Sequence, residues 1–187
     1  MSYLHAKARD RDGELEDLNA VEAETLFSGK SQAWVADFVW KWAPDGNAAE
    51  RSFKFAAEYF RRSEDGSLLC ADNSAAGGAC NGTKDGYQSR QSGFYAQGIY
   101  QFMPRWRTGY RYDRLDPGSV DFGVNNAFLP LSDFRPTRHS LMLDYSPSEF
   151  SRLRLQYSKD ESMQDLSENQ WFLQYIHSLG AHGAHTF

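Results

Sequence analysis

The sequence predicts an all-β fold: an antiparallel up-and-down transmembrane β-barrel of about eight strands, either complete or part of a larger barrel. Three observations predict it: segments of alternating polarity, connections whose lengths alternate, and prolines that fall in the proposed connections. Residues 137 to 158 give the clearest alternation. Leu141, Leu143, Tyr145, Leu153, Leu155 and Tyr157 share one parity, and Ser140, Asp144, Arg152, Arg154 and Gln156 the other. Successive strand side chains point to opposite faces, so this segment reads as a hairpin with one apolar and one charged face. A soluble sheet turns the apolar face inward, whereas a membrane barrel turns it toward lipid and keeps the charged face in a wet interior.

The other strands follow in order. Leu4, Ala6 and Ala8 oppose His5, Lys7 and Arg9, a weak copy of the pattern. Trp34, Ala36, Phe38, Trp40 and Trp42 oppose Val35, Asp37, Val39 and Lys41, and then Phe53, Phe55, Ala57 and Tyr59 oppose Lys54, Ala56, Glu58 and Phe60. Phe94, Ala96, Gly98, Tyr100 and Phe102 oppose Tyr95, Gln97, Ile99 and Gln101, while Trp106, Thr108, Tyr110 and Tyr112 oppose Arg107, Gly109, Arg111 and Asp113. Near the end Trp171, Leu173, Tyr175 and Leu179 oppose Gln174 and Ser178. Each segment is roughly ten residues, the length a tilted strand needs to cross a bilayer's hydrocarbon core.

Connections are short at 43–51, 103–106 and 146–151, and longer and polar at 10–30, 64–91, 116–137 and 160–169. In an up-and-down barrel this alternation puts every short link on one side. Pro44, Pro104, Pro117, Pro130, Pro136 and Pro147 are all expected in connections, because a strand interior must donate ladder hydrogen bonds.

Composition narrows the function. In 187 residues, 41% are hydrophobic and no stretch approaches eighteen consecutive apolar residues, which excludes membrane helices. The mean hydropathy of -0.66 is polar, yet a membrane barrel needs only half its strand positions apolar. Aromatic residues make up 15% and gather at strand ends, as interfacial girdles do. A net charge of -5 argues against nucleic-acid binding. No nucleophile motif, phosphate loop or metal-binding motif marks an enzyme, and no cofactor is expected.

From Tyr3 to Phe187 this pattern resembles the C-terminal portion of a Gram-negative outer-membrane β-barrel protein, porin-like or TonB-dependent-receptor-like. The resemblance implies short periplasmic turns, long extracellular loops, and residence in the outer membrane against lipid and lipopolysaccharide. It also implies small solutes as cargo, the TonB system as partner for a receptor, and Phe187 as the terminal aromatic presented to the barrel-assembly machinery. Met1-Ser2-Tyr3-Leu4-His5 does not read as a secretory signal. Residues 1–187 are therefore expected to be a single barrel domain or, preferably, the last part of a longer barrel.

Cys70 and Cys80 lie in one long glycine-rich loop and are expected to form a disulfide in an oxidising compartment. His177, His182 and His185 are weak candidates for a zinc, copper or nickel cluster, with a solvated strand end as the simpler reading. The functional lead is the charged parity. Lys54, Glu58, Arg107, Arg111, Asp113, Asp144, Arg152 and Arg154 are expected to line one interior. Opposite charges there can pair across strands, while Arg107 with Arg111 and Arg152 with Arg154 can attract anions. The function expected is passage or uptake of small solutes. The alternatives are a small anchoring or adhesion barrel, and a soluble lipocalin-like barrel with the apolar parity inside.

Overall fold

The alternation translates into strands. The computed structural model describes residues 1–179. Its strands are β1 (Ser2–Glu16), β2 (Glu22–Trp42), β3 (Ser52–Cys70), β4 (Lys84–Met103), β5 (Trp106–Asp121), β6 (Thr137–Ser148), β7 (Ser151–Met163) and β8 (Leu166–His177). They form one eight-stranded antiparallel up-and-down sheet in which each strand neighbours the next in sequence. β1 and β8 are its two edges, and among the described residues no ladder joins them.

The strands run farther than alternation predicts. β2 has 21 residues and β4 has 20, and the expected long connections shrink to 17–21, 71–83, 122–136 and 164–165. The ladder needs only backbone N–H and C=O groups, so it continues where side-chain polarity no longer alternates. Two prolines correct the expectation that all lie in connections. Pro147 lies in β6 where the β6–β7 register shifts between Tyr145 and Ser148, which accommodates a residue that cannot donate. Pro117 lies in β5 beside Gly118, whose φ of 62° and N–H bond to Asp116 Oδ1 (2.9 Å) mark a local turn within the strand.

Register fixes the faces. Leu143 pairs with Leu155 and Leu141 with Tyr157, while Asp144 pairs with Arg154 and Ser140 with Ser158. Across the next ladder Leu155 meets Leu173, Leu153 meets Tyr175 and Tyr157 meets Trp171. Directly opposed residues project to the same face, so the apolar parity runs unbroken over three strands, while the polar parity also carries Met142, Phe172 and Ile176. In β1 the assignment reverses. Tyr3 pairs with Trp34, their rings 4.5 Å apart, and Leu4 pairs with Ala33, so Leu4, Ala6 and Ala8 lie on the face away from Trp34. A register shift between Ala8 and Arg11, with Asp10 at φ 47°, then changes which β1 residues share that face.

The chain divides into two compact units. The first comprises Met1–Asp37, Glu58–Phe94 and Arg114–Pro136. Its core is apolar: Ala23, Phe27, Leu68, Phe122, Leu129, Cys70 and Cys80 are buried together. Burying a Phe or Leu side chain is worth about 1.5–3 kcal/mol each, which holds loop segments to the strand ends. The second unit comprises Phe38–Ala57, Tyr95–Asp113 and Thr137–Phe187. There the side chains withdrawn from solvent include Asp144, Ser158 and Asp160, whereas Leu141, Leu153, Leu155, Trp171 and Leu173 are exposed. Its polarity is inverted relative to a soluble core.

Candidate functional site

In the second unit, one carboxylate organises a group of arginines. Asp144 on β6 is 1% exposed, and Arg154, directly opposite on β7, grips it with Nε at 2.7 Å from one oxygen and a terminal nitrogen at 2.9 Å from the other. This two-point geometry is the strong form of the carboxylate–guanidinium bond. Arg107 on β5 and Arg152 on β7 each approach the same Oδ2 to 4.0 Å, beyond hydrogen-bond distance. Three guanidiniums thus surround one carboxylate, and two of them lack a close bond to it.

Farther along the same face, Arg138 Nε lies 3.6 Å from Asp160 and donates through a terminal nitrogen to Gln170 at 2.7 Å. Ser140 and Ser158 share a hydroxyl bond of 2.9 Å. On β5, Arg111 closes on Asp113 at 2.6 Å and stacks its guanidinium over the Tyr95 ring at 4.0 Å.

The opposite face carries a belt. Leu153–Tyr175, Leu155–Leu173 and Tyr157–Trp171 are consecutive same-face pairs, bounded by Ser151–His177 at one end and Lys159–Asn169 at the other. Those bounds are eight residue steps apart, about 27 Å along the strand. Ring pairs continue the belt around the unit: Trp40 with Phe53 at 5.9 Å, Phe38 with Phe55 at 6.2 Å and Trp106 with Tyr145 at 4.7 Å.

In the first unit a second buried carboxylate plays an equivalent role. Glu64, 6% exposed, accepts from Arg11 at 2.9 and 3.2 Å and from Arg62 at 2.6 Å, and Arg11 also lies 4.8 Å from the Phe27 ring centroid. The sequence reading missed it because a loop was expected from residue 64. Yet Lys54, Glu58, Arg62 and Glu64 share one parity, and continuing the count would have reached it.

The loop ends are tied by Asp17. Its Oδ1 accepts the amides of Asn19 (2.8 Å) and Val21 (3.1 Å), and its Oδ2 accepts Asn73 Nδ2 (2.8 Å) and the Ala79 amide (2.6 Å). Cys70 and Cys80 form the expected disulfide, with Cα atoms 5.7 Å apart, closing the segment that Asn73 and Ala79 occupy. Asn125 is fully buried and donates to the carbonyls of Leu68 and Thr83, joining the 122–136 connection to the same cluster.

Burial of Asp17 raises its pKa, but the bonds from Ala79, Asn73, Val21 and Asn19 outweigh that and hold it down to about 2, against an ordinary 3.8. A depressed carboxylate contributes stability that is complete above its unfolded pKa and is lost as pH falls through its folded one. Hydrogen-exchange protection of the Asn19, Val21 and Ala79 amides, corrected for intrinsic rate, is therefore expected to fall steeply as pH drops from 3.8 to about 2. In Asp17→Asn it should be low already at the upper end of that window, since the amide presents a donor to donors. Equal protection in both proteins throughout would refute the tie.

The structure brings together Arg107, Asp144, Arg152 and Arg154, and pairs Arg111 with Asp113 separately. Lys54 and Glu58 join no ion pair among the described residues, and Lys54 is exposed. His177 ends β8, while His182, His185 and Phe187 lie outside the described residues. Among the described residues no group of His, Cys, Asp and Glu is arranged to hold a metal. Among the described residues no helix is long and apolar enough to cross a membrane, which says nothing of strands.

No family model matches the chain, and no solved structure matches it. It is similar to an uncharacterized protein of Aquifex aeolicus (strain VF5), 27% identical over 187 residues. That alignment covers 98% of this chain and 36% of the relative, so the chain spans little more than a third of the relative's length.

Proposed function

We propose that this chain forms barrel wall in the outer membrane of a Gram-negative bacterium and belongs to a protein that passes or takes up small solutes, as a porin-like channel or a receptor barrel. One observation carries the reading: in the second unit the sheet withdraws Asp144, Ser158 and Asp160 from solvent and exposes its apolar parity. Asp144 on β6 is 1% exposed while Leu155, on the opposite face of the neighbouring β7, is 44% exposed. In water that arrangement costs hydrophobic free energy at every exposed Leu and Trp; in lipid the same residues are in their preferred medium. The belt of about 27 Å along a tilted strand suits the apolar band of such a barrel. Aromatic pairs toward its ends are consistent with interfacial girdles.

A lipocalin-like soluble barrel would need Leu141, Leu153, Leu155 and Trp171 inside, which their exposure opposes. β1 is exposed along both faces except at Ala8, and β8 except at Gln170, as edges of a wall continued by further strands would be. Fractionation of cells expressing the protein with an added export signal tests the reading. Sedimentation with outer membranes, and release only by detergent, is expected. A fully soluble monomer without detergent would overturn it.

A further inference from the structure

In the second unit a cavity of about 560 Å³ opens beside the arginine cluster. It is lined by Arg105, Arg107 and Arg152, by the serines at 146, 148 and 151, and by a single acid, Glu149. The volume is in the range of small-molecule sites. Its charge is uncompensated for a structural reason. Both oxygens of Asp144, the carboxylate that Arg107 and Arg152 approach, are taken by Arg154, which leaves those two at 4.0 Å. Arg152 Nε is shielded from solvent and has no hydrogen-bond partner among the described residues, although its side chain is 38% exposed overall. A buried N–H of a charged group without an acceptor is costly, so Asp144 leaves Arg152 under-satisfied, and the exposed part of the same guanidinium-bearing side chain is what an oxyanion in the cavity can meet.

The turns that frame the cavity are held in place. Ser146 donates its amide to the Arg105 carbonyl at 2.9 Å, fastening the β4–β5 turn to the end of β6. Ser148 and Ser151 share one hydroxyl bond at 2.8 Å. Two hydroxyls sharing one bond retain one proton, which is available to an acceptor.

We propose that this cavity is a binding site for a small oxyanion, the phosphate or carboxylate group of a solute, held between the Arg107 and Arg152 guanidiniums with Arg105 and the serine hydroxyls completing the shell. Planar guanidiniums match both groups in two-point geometry. Arg107 and Arg152 lie on the polar face with Asp144, and Ser148 and Ser151 close the site at the β6–β7 turn, so the ligand is a free solute and not a lipid headgroup; only its description as cargo rests on the transport reading.

Inorganic phosphate is the probe, titrated against the full chain refolded in zwitterionic vesicles and followed by phosphorus NMR line broadening. Saturable binding is expected, with Arg107→Gln/Arg152→Gln weakening it by at least about tenfold, in keeping with hydrogen bonds to charged groups. Arg105→Gln, at an exposed turn position where the backbone bond to Ser146 is kept, should weaken it several-fold. Arg61→Gln, on β3 and not among the residues that line the cavity, should leave it unchanged. No saturable binding, or equal affinity in wild type and both cavity variants, overturns the site. Loss of phosphate binding in vesicles that contain phosphatidylglycerol, with no competition by soluble glycerol phosphate in zwitterionic vesicles, overturns the free-solute assignment. A soluble protein that still binds phosphate through these arginines would refute the membrane reading and leave the site standing.

Discussion

Leu155→Arg is expected to destabilise the protein in a bilayer by about 2–4 kcal/mol, the cost of a basic side chain at the lipid face near the midplane. Leu155 is the position for this test because it lies halfway between the Ser151 and Lys159 bounds of the belt and is flanked on its own face by Leu143 and Leu173. It is 44% exposed, so in water the same replacement would fall within about 0.5 kcal/mol of neutral, as surface changes do. Gln156→Arg, one residue on, points to the polar face beside Met142 and Phe172 in register and should cost about 1 kcal/mol or less. Urea unfolding of both variants in vesicles measures the difference. A large cost at Gln156 with none at Leu155 would mean that the faces are reversed and the apolar parity is a core.

That a single step along β7 should separate two such outcomes reflects what alternation encodes. The hairpin at 137–158 was legible because each strand residue there contacts one of two different media, and its pairs, Leu143 with Leu155 and Asp144 with Arg154, follow directly from parity. Where both faces meet similar surroundings, the signal is lost while the ladder persists. This is why the ends of β3 and β4 read as loop, and why the Glu64 cluster at that margin was missed. β1 was misassigned for a related reason. Alanines in Leu4, Ala6 and Ala8 carry little polarity information, and the aromatic that fixes the face is Tyr3 through Trp34. Of the charged parity, sequence supplied the members but not their partners: which arginine takes both oxygens of Asp144 depends on register and rotamer, neither of which spacing specifies.

The partnering gives the second large effect. Asp144→Ala is expected to cost about 3 kcal/mol, the lower end of the range for removing one member of a buried pair, because the guanidiniums it leaves are partly hydrated. Arg107, Arg152 and Arg154 are 31%, 38% and 27% exposed, against 1% for the carboxylate. Arg154→Ala should cost clearly less, although it breaks the same bond. With Arg154 gone, Arg107 and Arg152 need to move only from 4.0 Å to reach the vacated oxygens, whereas among the described residues no second carboxylate lies within 4.0 Å of the three arginines that Asp144→Ala leaves. The order of the two single variants therefore tests whether the arginines are present in excess over the acid. Equal costs would mean an isolated pair, and a larger cost for Arg154→Ala would mean that Arg107 and Arg152 do not interact with the carboxylate at all. If they do, phosphate should restore part of the stability lost in Asp144→Ala, since a bound oxyanion supplies the negative charge that the substitution removes, by the ordinary linkage of ligand binding to folding.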